Sequence, residues 1–433
     1  MQKRTTLRMA AAAAAGGLLL ALLGCSSPGA PAADLREFTG EYDGPPVTLE
    51  FWNGFTGGDG PFIQQMIEDF EAEHPDIDIR ATTQEWGDLY QKLPAASFAG
   101  AGPDVGVIHV EQIGTMVVRN VIVPIEDLAT TLDLDAEDFA EAVWEAGSYE
   151  GKRYGIPLDV HSLAMYYNTE HFEAAGITEP PTDAASFQDA LDKLQAAGYE
   201  TPFWMPSLWP AHLIDLSLLW QGGGEPYSED GGEATWASPE GVAGLEWMRS
   251  VIDSGYSPDD VAIDAQYVAF KNGETSITWD GIWQINDLTE SGLPFAAAPI
   301  PAVGGEPAFW ANSHQFVLGR HALTDPDLAD AAKVFIAWMS ENSDAWAGAG
   351  MIPARATVRE ETMPGTVQEP IAEQIDAMRF LPPVPGLGAV QADTLEIAVA
   401  TAMLGNAEPA AALEREASRA TQLLQANLDR FGE

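Results

Sequence analysis

From about residue 47 onward, segments in which apolar residues recur with the period of a strand alternate with segments in which they recur with the period of a helix. The stretch VTLEFWNGF (47–55) has the pattern of a strand that ends in a glycine-containing turn. In GPFIQQMIEDFEAEHP (60–75) the apolar residues recur at helical spacing, and the pattern stops at a proline. IDIRATTQ (77–84) then predicts a second strand, DLYQKLPAASFAG (88–100) a second helix and DVGVIHV (104–110) a buried strand. This alternation predicts a parallel or mixed α/β sheet.

A second set of elements begins near residue 154. YGIPLDVHSLAMYYN (154–168) predicts an apolar strand, and FWANSHQFVLG (309–319) predicts a return strand after several helical segments. PDLADAAKVFIAWMSE (326–341) has an amphipathic helical pattern. The stretch 391–431 is helical except for a break near 405–409, and its alanine-rich face suits packing against this second set. The chain is long enough for two lobes, each with its own core.

The N-terminal segment has a different pattern. Lys3, Arg4 and Arg8 flank an apolar run at 9–23, which is shorter than the roughly 20 residues needed to span a bilayer. We therefore expect a secretory signal at 1–24. Its end, LLGC, resembles a bacterial lipobox, so the only cysteine of the chain, Cys25, is expected to carry a lipid anchor. The alternatives are a plain signal with an incidental thiol and a cysteine in the core.

Composition limits the partners of the protein. Residues 25–46, rich in Ser, Pro, Gly and Ala, predict a flexible tether that holds the protein outside the cytoplasmic membrane, at the cell surface or in the periplasm. The formal net charge is −46, and it becomes −49 without the three basic residues of the leader. This charge argues against binding to nucleic acid or to anionic lipid surfaces. Because the acidic residues are spread along the chain, they indicate a solvating surface and identify no ligand.

Six motifs occur in one order over nearly the whole chain from about residue 47. They are TLEFWNGF, FEAEHPDIDI, LYQKLPAASFAGAGPDV, YEGKRYGIPLDVHSLAMYYNTEHFEAAG, FKNGETSITWDGIW and GAGMIPARATV. In this order they resemble the extracellular solute-binding proteins of bacterial ABC importers, in the family that takes up sugars and oligosaccharides. The resemblance implies a periplasmic-binding-protein-like clamshell of two mixed α/β lobes. The ligand would lie in the cleft, and hinge closure would present the closed form to a membrane permease.

The resemblance also implies lobe boundaries and several crossover strands. We expect crossovers near 158–160, 305–312 and 352–355. Lobe 1 would comprise 47–158 plus about 310–352, and lobe 2 would comprise 159–309 plus about 353–433. A monomer is expected, open when free and closed around its ligand.

Sugars require flat aromatic faces and side chains that both donate and accept hydrogen bonds. The chain has thirteen tryptophans, several of them outside helical apolar faces. The candidate ligand-binding residues of lobe 1 and of the first crossover are Asn53, Phe55, Glu85, Trp86, Asp104, Glu111, Asp159 and His161. Asp159 and His161 would point to the same side of a strand. The alternatives are a turn-forming Asn53, a core Phe55, a turn-bracing Asp104 and a hydrogen-bonded core histidine at His161.

The remaining candidates come from later in the chain. They are Trp209, Trp220, Trp279, Asp280, Trp283, Trp310, Asn312, His314 and Arg355. In TWDGIW, Gly281 would let the backbone approach a ligand closely, and FWANSHQ places three candidates on one strand face. Arg355 would bind hydroxyls or a phosphate, or else form a salt bridge. Core packing is an equal alternative for Trp220, and it is the prediction for Trp247 and Trp338.

Other functions remain open at this stage. Glycerol-phosphate-type solutes are the nearest alternative ligand, because Arg355 would suit a phosphate. A secreted carbohydrate-active enzyme would also combine tryptophans with paired carboxylates. A purely structural surface lipoprotein fits the anchor but leaves the tryptophans unexplained. Nucleophile-elbow, Walker A, HExxH and zinc-ligand patterns are absent from the sequence, so we expect a binding protein rather than an enzyme, without cofactor or metal.

Overall fold

The computed structural model describes residues 37–131, 134 and 136–431. The predicted signal at 1–24, Cys25 and the first part of the predicted tether lie outside the described residues. Within the described part of the tether, Phe38 is buried in the core, and its backbone oxygen accepts a hydrogen bond from Thr131. The expectation of an unpacked tether as far as residue 46 is therefore wrong, because this phenylalanine packs against the folded body.

The described residues contain fourteen strands. They are β1 (Val47–Asn53), β2 (Ile77–Thr83), β3 (Val105–His109), β4 (Ile122–Val123), β5 (Ser148–Tyr149), β6 (Lys152–Arg153), β7 (Gly155–Pro157), β8 (Asp159–Asn168), β9 (Ile277–Gly281), β10 (Phe295–Ala298), β11 (Phe309–Asn312), β12 (His314–Gly319), β13 (Ile352–Pro353) and β14 (Met378–Arg379). The strands predicted at 47–55, 77–84, 104–110 and 154–168 are present as β1, β2, β3 and β7 with β8.

The helices connect and cover these strands. They are α1 (Gly60–Glu73), α2 (Trp86–Phe98), α3 (Ile113–Val118), α4 (Glu126–Thr131), α5 (Glu141–Ala146), α6 (Thr169–Ala174), α7 (Ala184–Ala196), α8 (Ala211–Gln221), α9 (Pro239–Asp253), α10 (Ala265–Lys271), α11 (Ile285–Ser291), α12 (Pro326–Glu341), α13 (Asp344–Ala347), α14 (Ala356–Thr362), α15 (Glu369–Ala372), α16 (Leu387–Asp393), α17 (Leu395–Met403) and α18 (Pro409–Phe431). In the described part of the chain, no helix is both long and apolar enough to cross a membrane.

Two six-stranded sheets form the framework. The first has the order β2-β1-β3-β12-β4, with β7 also paired to β12, and β1 runs parallel to both β2 and β3. The second is built on the long strand β8, which pairs antiparallel with β9, β10, β11 and β13, while β14 runs parallel to β11. Both sheets are therefore mixed, as the alternation of strand and helix patterns predicts.

The chain passes between the sheets at three places. It leaves the first sheet between β7 and β8, returns between β11 and β12, and reaches the second sheet again at β13. At the first two passages the chain segments lie side by side, since the Leu158 N–H donates to the oxygen of His314 over 2.9 Å. The junction of the two sheets is thus made of paired backbone, with the ends of β8 and β12 next to each other.

Each sheet is packed against helices through aromatic residues. Phe51 of β1 and Phe316 of β12 contact Phe335 of α12 with ring centroids 5.2 and 6.4 Å apart. On the second sheet, Trp279 of β9 stacks on Trp247 of α9 at 5.6 Å. The C-terminal helices α17 and α18 pack on α8 and α9 on the side of the second sheet, as the alanine-rich face predicts.

Helix starts follow local sequence signals. The Asp183 side chain accepts from the Ser186 N–H, and the Ser186 hydroxyl is bonded to the Asp183 backbone, which forms a capping box at α7. Ser238 caps α9 through its side chain, which accepts a hydrogen bond from the Gly241 N–H.

Candidate functional site

A cavity of about 1520 Å³ opens between elements of the two sheets. Its walls include Trp86, Tyr90 and His109 from the side of the first sheet and Trp283 and Trp310 from the side of the second. Of the seventeen predicted ligand-binding residues, nine line this cavity. They are Glu85, Trp86, Glu111, His161, Trp209, Trp283, Trp310, Asn312 and His314.

Four tryptophans contribute aromatic surface to the wall. Trp86 stacks on the His314 ring at 5.2 Å with an angle of 18° between the planes. Trp283 and Trp310 meet edge to face at 6.3 Å. Trp209 is 41% exposed at the start of α8, with its ring 5.2 Å from that of His212. Indole faces from both sheets therefore border one space.

Two of these indoles lie directly over glycines. A Cβ atom on Gly54 would be 2.1 Å from the Trp86 ring, and one on Gly281 would be 2.1 Å from the Trp283 ring. Such a separation is far inside van der Waals contact, so each glycine leaves the space that the indole occupies. The prediction that Gly281 admits a ligand to the backbone is thus wrong, because the Trp283 ring fills that space.

Strand register brings three histidines together at the cavity. His314 of β12 is opposite His109 of β3, and His161 of β8 is opposite Asn312 of β11. The rings of His161 and His314 stack at 4.3 Å, and His109 is 4.8 Å from His314. The rings of His161 and His314 are buried, while that of His109 is half-buried.

The Asp159 carboxylate contacts two of these rings at their Nδ1 atoms. Its Oδ1 is 3.2 Å from Nδ1 of His161 and its Oδ2 is 2.6 Å from Nδ1 of His314. The same carboxylate accepts hydrogen bonds from the His314 N–H and from Nε1 of Trp346. Burial opposes ionisation, yet nearby His314 and the hydrogen bonds from both histidines keep the pKa of Asp159 well below its usual range.

The histidines are held in a weakly solvated environment. Burial and the neighbouring His314 lower the pKa of His161 to about 4, although Asp159 opposes this shift. Burial and the two other histidines lower the pKa of His109 well below its usual value. Both rings are accordingly neutral at pH 7. The Tyr90 hydroxyl lies 2.6 Å from Nδ1 of His109 and accepts the His109 backbone N–H over 3.1 Å.

Glu111 and Asn312 form a polar pair beside the histidines. Nδ2 of Asn312 donates to Oε2 of Glu111 over 2.8 Å, while Oδ1 of Asn312 accepts the N–H groups of Val110 and Ser313. Burial raises the pKa of the Glu111 carboxyl, and the hydrogen bond from Asn312 opposes this shift. The pair links the end of β3 to the end of β11.

Eight predicted residues lie elsewhere. They are Asn53, Phe55, Asp104, Asp159, Trp220, Trp279, Asp280 and Arg355. Asp159 acts from behind the histidines, as described above. Phe55 packs beneath the site, with its ring centroid 4.9 Å from that of His314 and 4.7 Å from that of Trp346.

Two of the eight brace turns of the first sheet. Oδ1 of Asn53 accepts from the Phe55 N–H and from Oγ1 of Thr83, so the amide closes the turn after β1. Asp104 accepts the Glu50 N–H at 2.9 Å and is 2.8 Å from Nδ1 of His321.

The other four are placed away from the cavity by packing or by ion pairing. Trp279 is fully buried against Trp247, Phe187 and Phe203, since strand alternation directs it toward the helices. Asp280 accepts from Nε2 of Gln266 and from the Gly281 N–H, and burial raises its pKa to about 6. Trp220 is buried and donates from Nε1 to Glu225, and Nε of Arg355 donates to Asp138 over 2.8 Å.

The sequence gives weak signals for several cavity residues that were not predicted. His109 is the last residue of β3, two positions before Glu111, and Tyr90 lies one helical turn after Trp86 in α2. Their positions next to predicted residues are the only local signal. His212 and Glu396, whose Nε2 and Oε1 are 3.6 Å apart, come from α8 and α17, and their approach depends on helix packing.

The chain is similar to known proteins in sequence and in fold. The family described as bacterial extracellular solute-binding protein matches residues 65–373. The maltotriose-binding protein of Pyrococcus abyssi is 24% identical over 351 residues, which are 78% of this chain and 74% of that protein.

Two solved structures have the same fold. The sugar-binding protein MalE from Xanthomonas citri gives a TM-score of 0.78 at 17% identity, over 89% of this chain and 100% of that one. The cyclic alpha-maltosyl-1,6-maltose binding protein from Arthrobacter globiformis gives 0.74 at 21% identity, over 88% and 100%. The predicted fold class, a two-lobed clamshell with mixed α/β lobes, is confirmed.

Proposed function

Because the chain belongs to the bacterial extracellular solute-binding proteins, we propose that it captures a sugar or oligosaccharide in the cavity and delivers it to an ABC importer. Delivery would occur by hinge closure and docking to the membrane permease. The family places the protein outside the cytoplasm. The proposal includes a lipid anchor at Cys25, which rests on the lipobox-like LLGC alone. The family consists of binding proteins, so we propose capture of the solute without covalent change.

The observation that carries the proposal is the aromatic wall. Trp86 on one side and Trp283 with Trp310 on the other present indole faces and edges to one cavity. Indole faces suit the C–H surfaces of a sugar ring, and the imidazole and amide groups between them can bond its hydroxyls. The resemblance to the maltotriose-binding protein of Pyrococcus abyssi supports the same ligand class.

The size of the cavity favours an oligosaccharide over a single sugar. Pockets for drug-sized ligands have volumes of about 300–1,000 Å³, and this cavity has about 1520 Å³. Trp209, 41% exposed at the start of α8, would extend the stacking surface beyond one ring. We therefore propose a ligand of at least two sugar units.

The charges around the cavity favour a neutral ligand over a phosphate ester. The carboxylic residues of its wall are Asp59, Glu85, Glu111, Asp287, Glu290 and Glu396. Among the described lining residues, Arg119 is the single arginine or lysine. Arg355, the predicted phosphate partner, is bonded to Asp138 and lies away from the wall. A phosphate would therefore meet more negative than positive charge.

A thermal-shift screen of the mature protein against neutral oligosaccharides and glycerol phosphates tests the ligand class. An oligosaccharide at 100 times its dissociation constant should stabilise the fold by about 2.7 kcal/mol. Chromatography of the same mixtures should recover the sugar intact. Stabilisation by glycerol phosphate alone, or appearance of a hydrolysis product, would contradict the proposal.

The Trp283→Ala variant tests the site itself. Removal of an indole that contacts the ligand should weaken binding by about 10- to 100-fold, since truncation of a central aromatic anchor costs about 2 kcal/mol. Phe98→Ala is the matched control, because Phe98 is 96% exposed and lies outside the cavity wall. Calorimetric titration with the oligosaccharide found in the screen gives both affinities. Equal affinity of Trp283→Ala and the wild type would mean that Trp283, the cavity residue of TWDGIW, does not contact the ligand.

A further inference from the structure

Three histidines that are far apart in the sequence meet at one edge of the cavity. Each of His109, His161 and His314 can offer a ring nitrogen such that the three atoms lie within 4.8 Å of one another. The meeting is produced by the pairing of β12 with β3 and of β11 with β8. All three residues also line the cavity.

The hydrogen bonds of Asp159 to His161 and His314 determine which ring nitrogen is available to a metal ion. A carboxylate only accepts hydrogen bonds, so Asp159 takes an N–H from Nδ1 of both His161 and His314. A ring that carries a single proton, on Nδ1, has its lone pair on Nε2. A histidine whose second nitrogen is bonded to a carboxylate is the common arrangement of protein metal ligands, because that contact fixes the tautomer and the orientation of the ring.

Asp159 is itself held rigidly. Besides the two rings, it accepts the His314 backbone N–H at 3.0 Å and Nε1 of Trp346 at 2.6 Å, and it is fully buried. The third ring, His109, has the Tyr90 hydroxyl 2.6 Å from its Nδ1. All three imidazoles therefore have a partner at Nδ1, and none of the described residues is bonded to their Nε2 atoms.

We propose that His109, His161 and His314 bind a divalent transition-metal ion, with Zn²⁺ as the probe ion. Three imidazoles are a known ligand set for Zn²⁺, and they leave a fourth position open. Here the open position would face the cavity. Zn–N distances of about 2 Å place tetrahedral ligand atoms about 3.4 Å apart, so ring shifts of about 1 Å complete the site.

The surroundings favour a cation. Glu111 is bonded to Asn312 next to the histidines, and Asp59 belongs to the same wall. The inference is independent of the proposed sugar ligand, because it rests on the imidazoles and on Asp159 rather than on the indoles.

Metal titration of chelator-treated mature protein, without sugar, tests the inference. Zn²⁺ competed against a chromophoric chelator should bind at one ion per chain, and Co²⁺ should produce the visible absorption of a tetrahedral site. His161→Asn and His314→Asn should each weaken Zn²⁺ binding more than 100-fold. Asp159→Asn and Tyr90→Phe should weaken it by about 10- to 100-fold, as for other residues behind metal ligands.

His171→Asn is the matched control. His171 is bonded through Nδ1 to Oγ of Ser276 and lies outside the cavity wall, so its loss should leave Zn²⁺ affinity unchanged. Circular dichroism and the unfolding midpoint establish that each variant is folded. Absence of stoichiometric binding, or binding that is equal in the His161, His314 and His171 variants, would overturn the inference.

A sugar titration in the presence of chelator separates this inference from the proposed function. Sugar binding without any Zn²⁺ site would contradict the metal inference alone. A Zn²⁺ site in a protein that no oligosaccharide stabilises would contradict the proposed function alone.

Discussion

At the scale of single residues, Asp215 is a buried carboxyl group that bonds to no described residue. It lies in α8, all of whose residues are buried, and it is 1% exposed. Within the part of the chain that the structure describes, neither of its side-chain oxygens has a hydrogen-bond partner. Burial therefore raises the pKa of Asp215 to about 8. The native state holds a proton at neutral pH that the unfolded chain, with an ordinary carboxyl pKa of about 4, releases.

This proton links stability to pH at one residue. Between about pH 4 and pH 8 the native state binds more protons than the unfolded state, so the contribution of Asp215 to stability falls as the pH rises. Asp215→Asn removes the ionisation and should raise the free energy of unfolding by roughly 2–4 kcal/mol at pH 8. The difference from wild type should vanish near pH 4.

Urea unfolding at several pH values measures this effect. Asp259→Asn, at an exposed position, is the control and should change stability little at any pH. A stability difference between Asp215→Asn and wild type that is the same at pH 4 and pH 8 would contradict the assigned proton.

At the scale of elements, the ends of β1 and β9 are built in the same way. β1 leads into Gly54 and β9 ends at Gly281. Trp86, the first residue of α2, lies over Gly54, and Trp283, two residues after β9, lies over Gly281. The two tryptophans therefore owe their orientation to a missing side chain in the strand end.

Gly281→Ala should weaken oligosaccharide binding by about 10-fold, because the new Cβ would meet the Trp283 ring at 2.1 Å and turn it away from its place in the wall. The fold should persist, since the atoms that must move belong to a half-buried side chain. A double-mutant cycle with Trp283→Ala provides the control. If the glycine acts through the indole, Gly281→Ala should have no further effect once Trp283 is removed; a fully additive loss of affinity would contradict this.

The elements and part of the site follow from local pattern, whereas the rest depends on register. The periods at 47–55 and 60–75 predict β1 and α1. Alternation in FWANSHQ predicts one strand face for Trp310, Asn312 and His314; all three line the cavity, but β11 ends at Asn312 and His314 begins β12 of the other sheet. By contrast, His109 reaches the cavity because β3 pairs with β12, which follows some 200 residues later. Pairing over such a distance is a tertiary property that no local pattern specifies.

Local pattern also does not determine which residues of a motif face the cavity and which face the core. TWDGIW contains two tryptophans, and the structure places Trp283 at the cavity and Trp279 in the core. Trp283 lies beyond the end of β9, so the alternation of that strand does not apply to it. Trp279 faces the core because α7 and α9 pack on its side of β9, through Phe187 and Trp247. Ion pairs such as Arg355 with Asp138 join distant segments, so one sequence cannot distinguish them from ligand contacts.

At the scale of the whole molecule, three passages of chain connect two sheets that share one cavity. The sheets are connected between β7 and β8, between β11 and β12, and by the segment that leads to β13. A ligand that contacts Trp86 on one side and Trp283 on the other gains more contacts when the two sides approach. Its affinity is then higher for the closed arrangement, and saturation shifts the population toward that arrangement.

Small-angle scattering of the free and oligosaccharide-saturated protein tests this motion. The radius of gyration should fall on saturation, and the scattering profile should change at angles that report the separation of the lobes. Trp283→Ala at the same sugar concentration, too low to saturate the weakened site, should keep the free profile, which excludes an effect of the sugar on the solvent. Superimposable profiles of the free and bound wild type, with saturation established by the thermal shift, would mean that the cavity binds its ligand without closing. The permease would then have to distinguish the loaded protein from the free protein by a feature other than the distance between the two sheets.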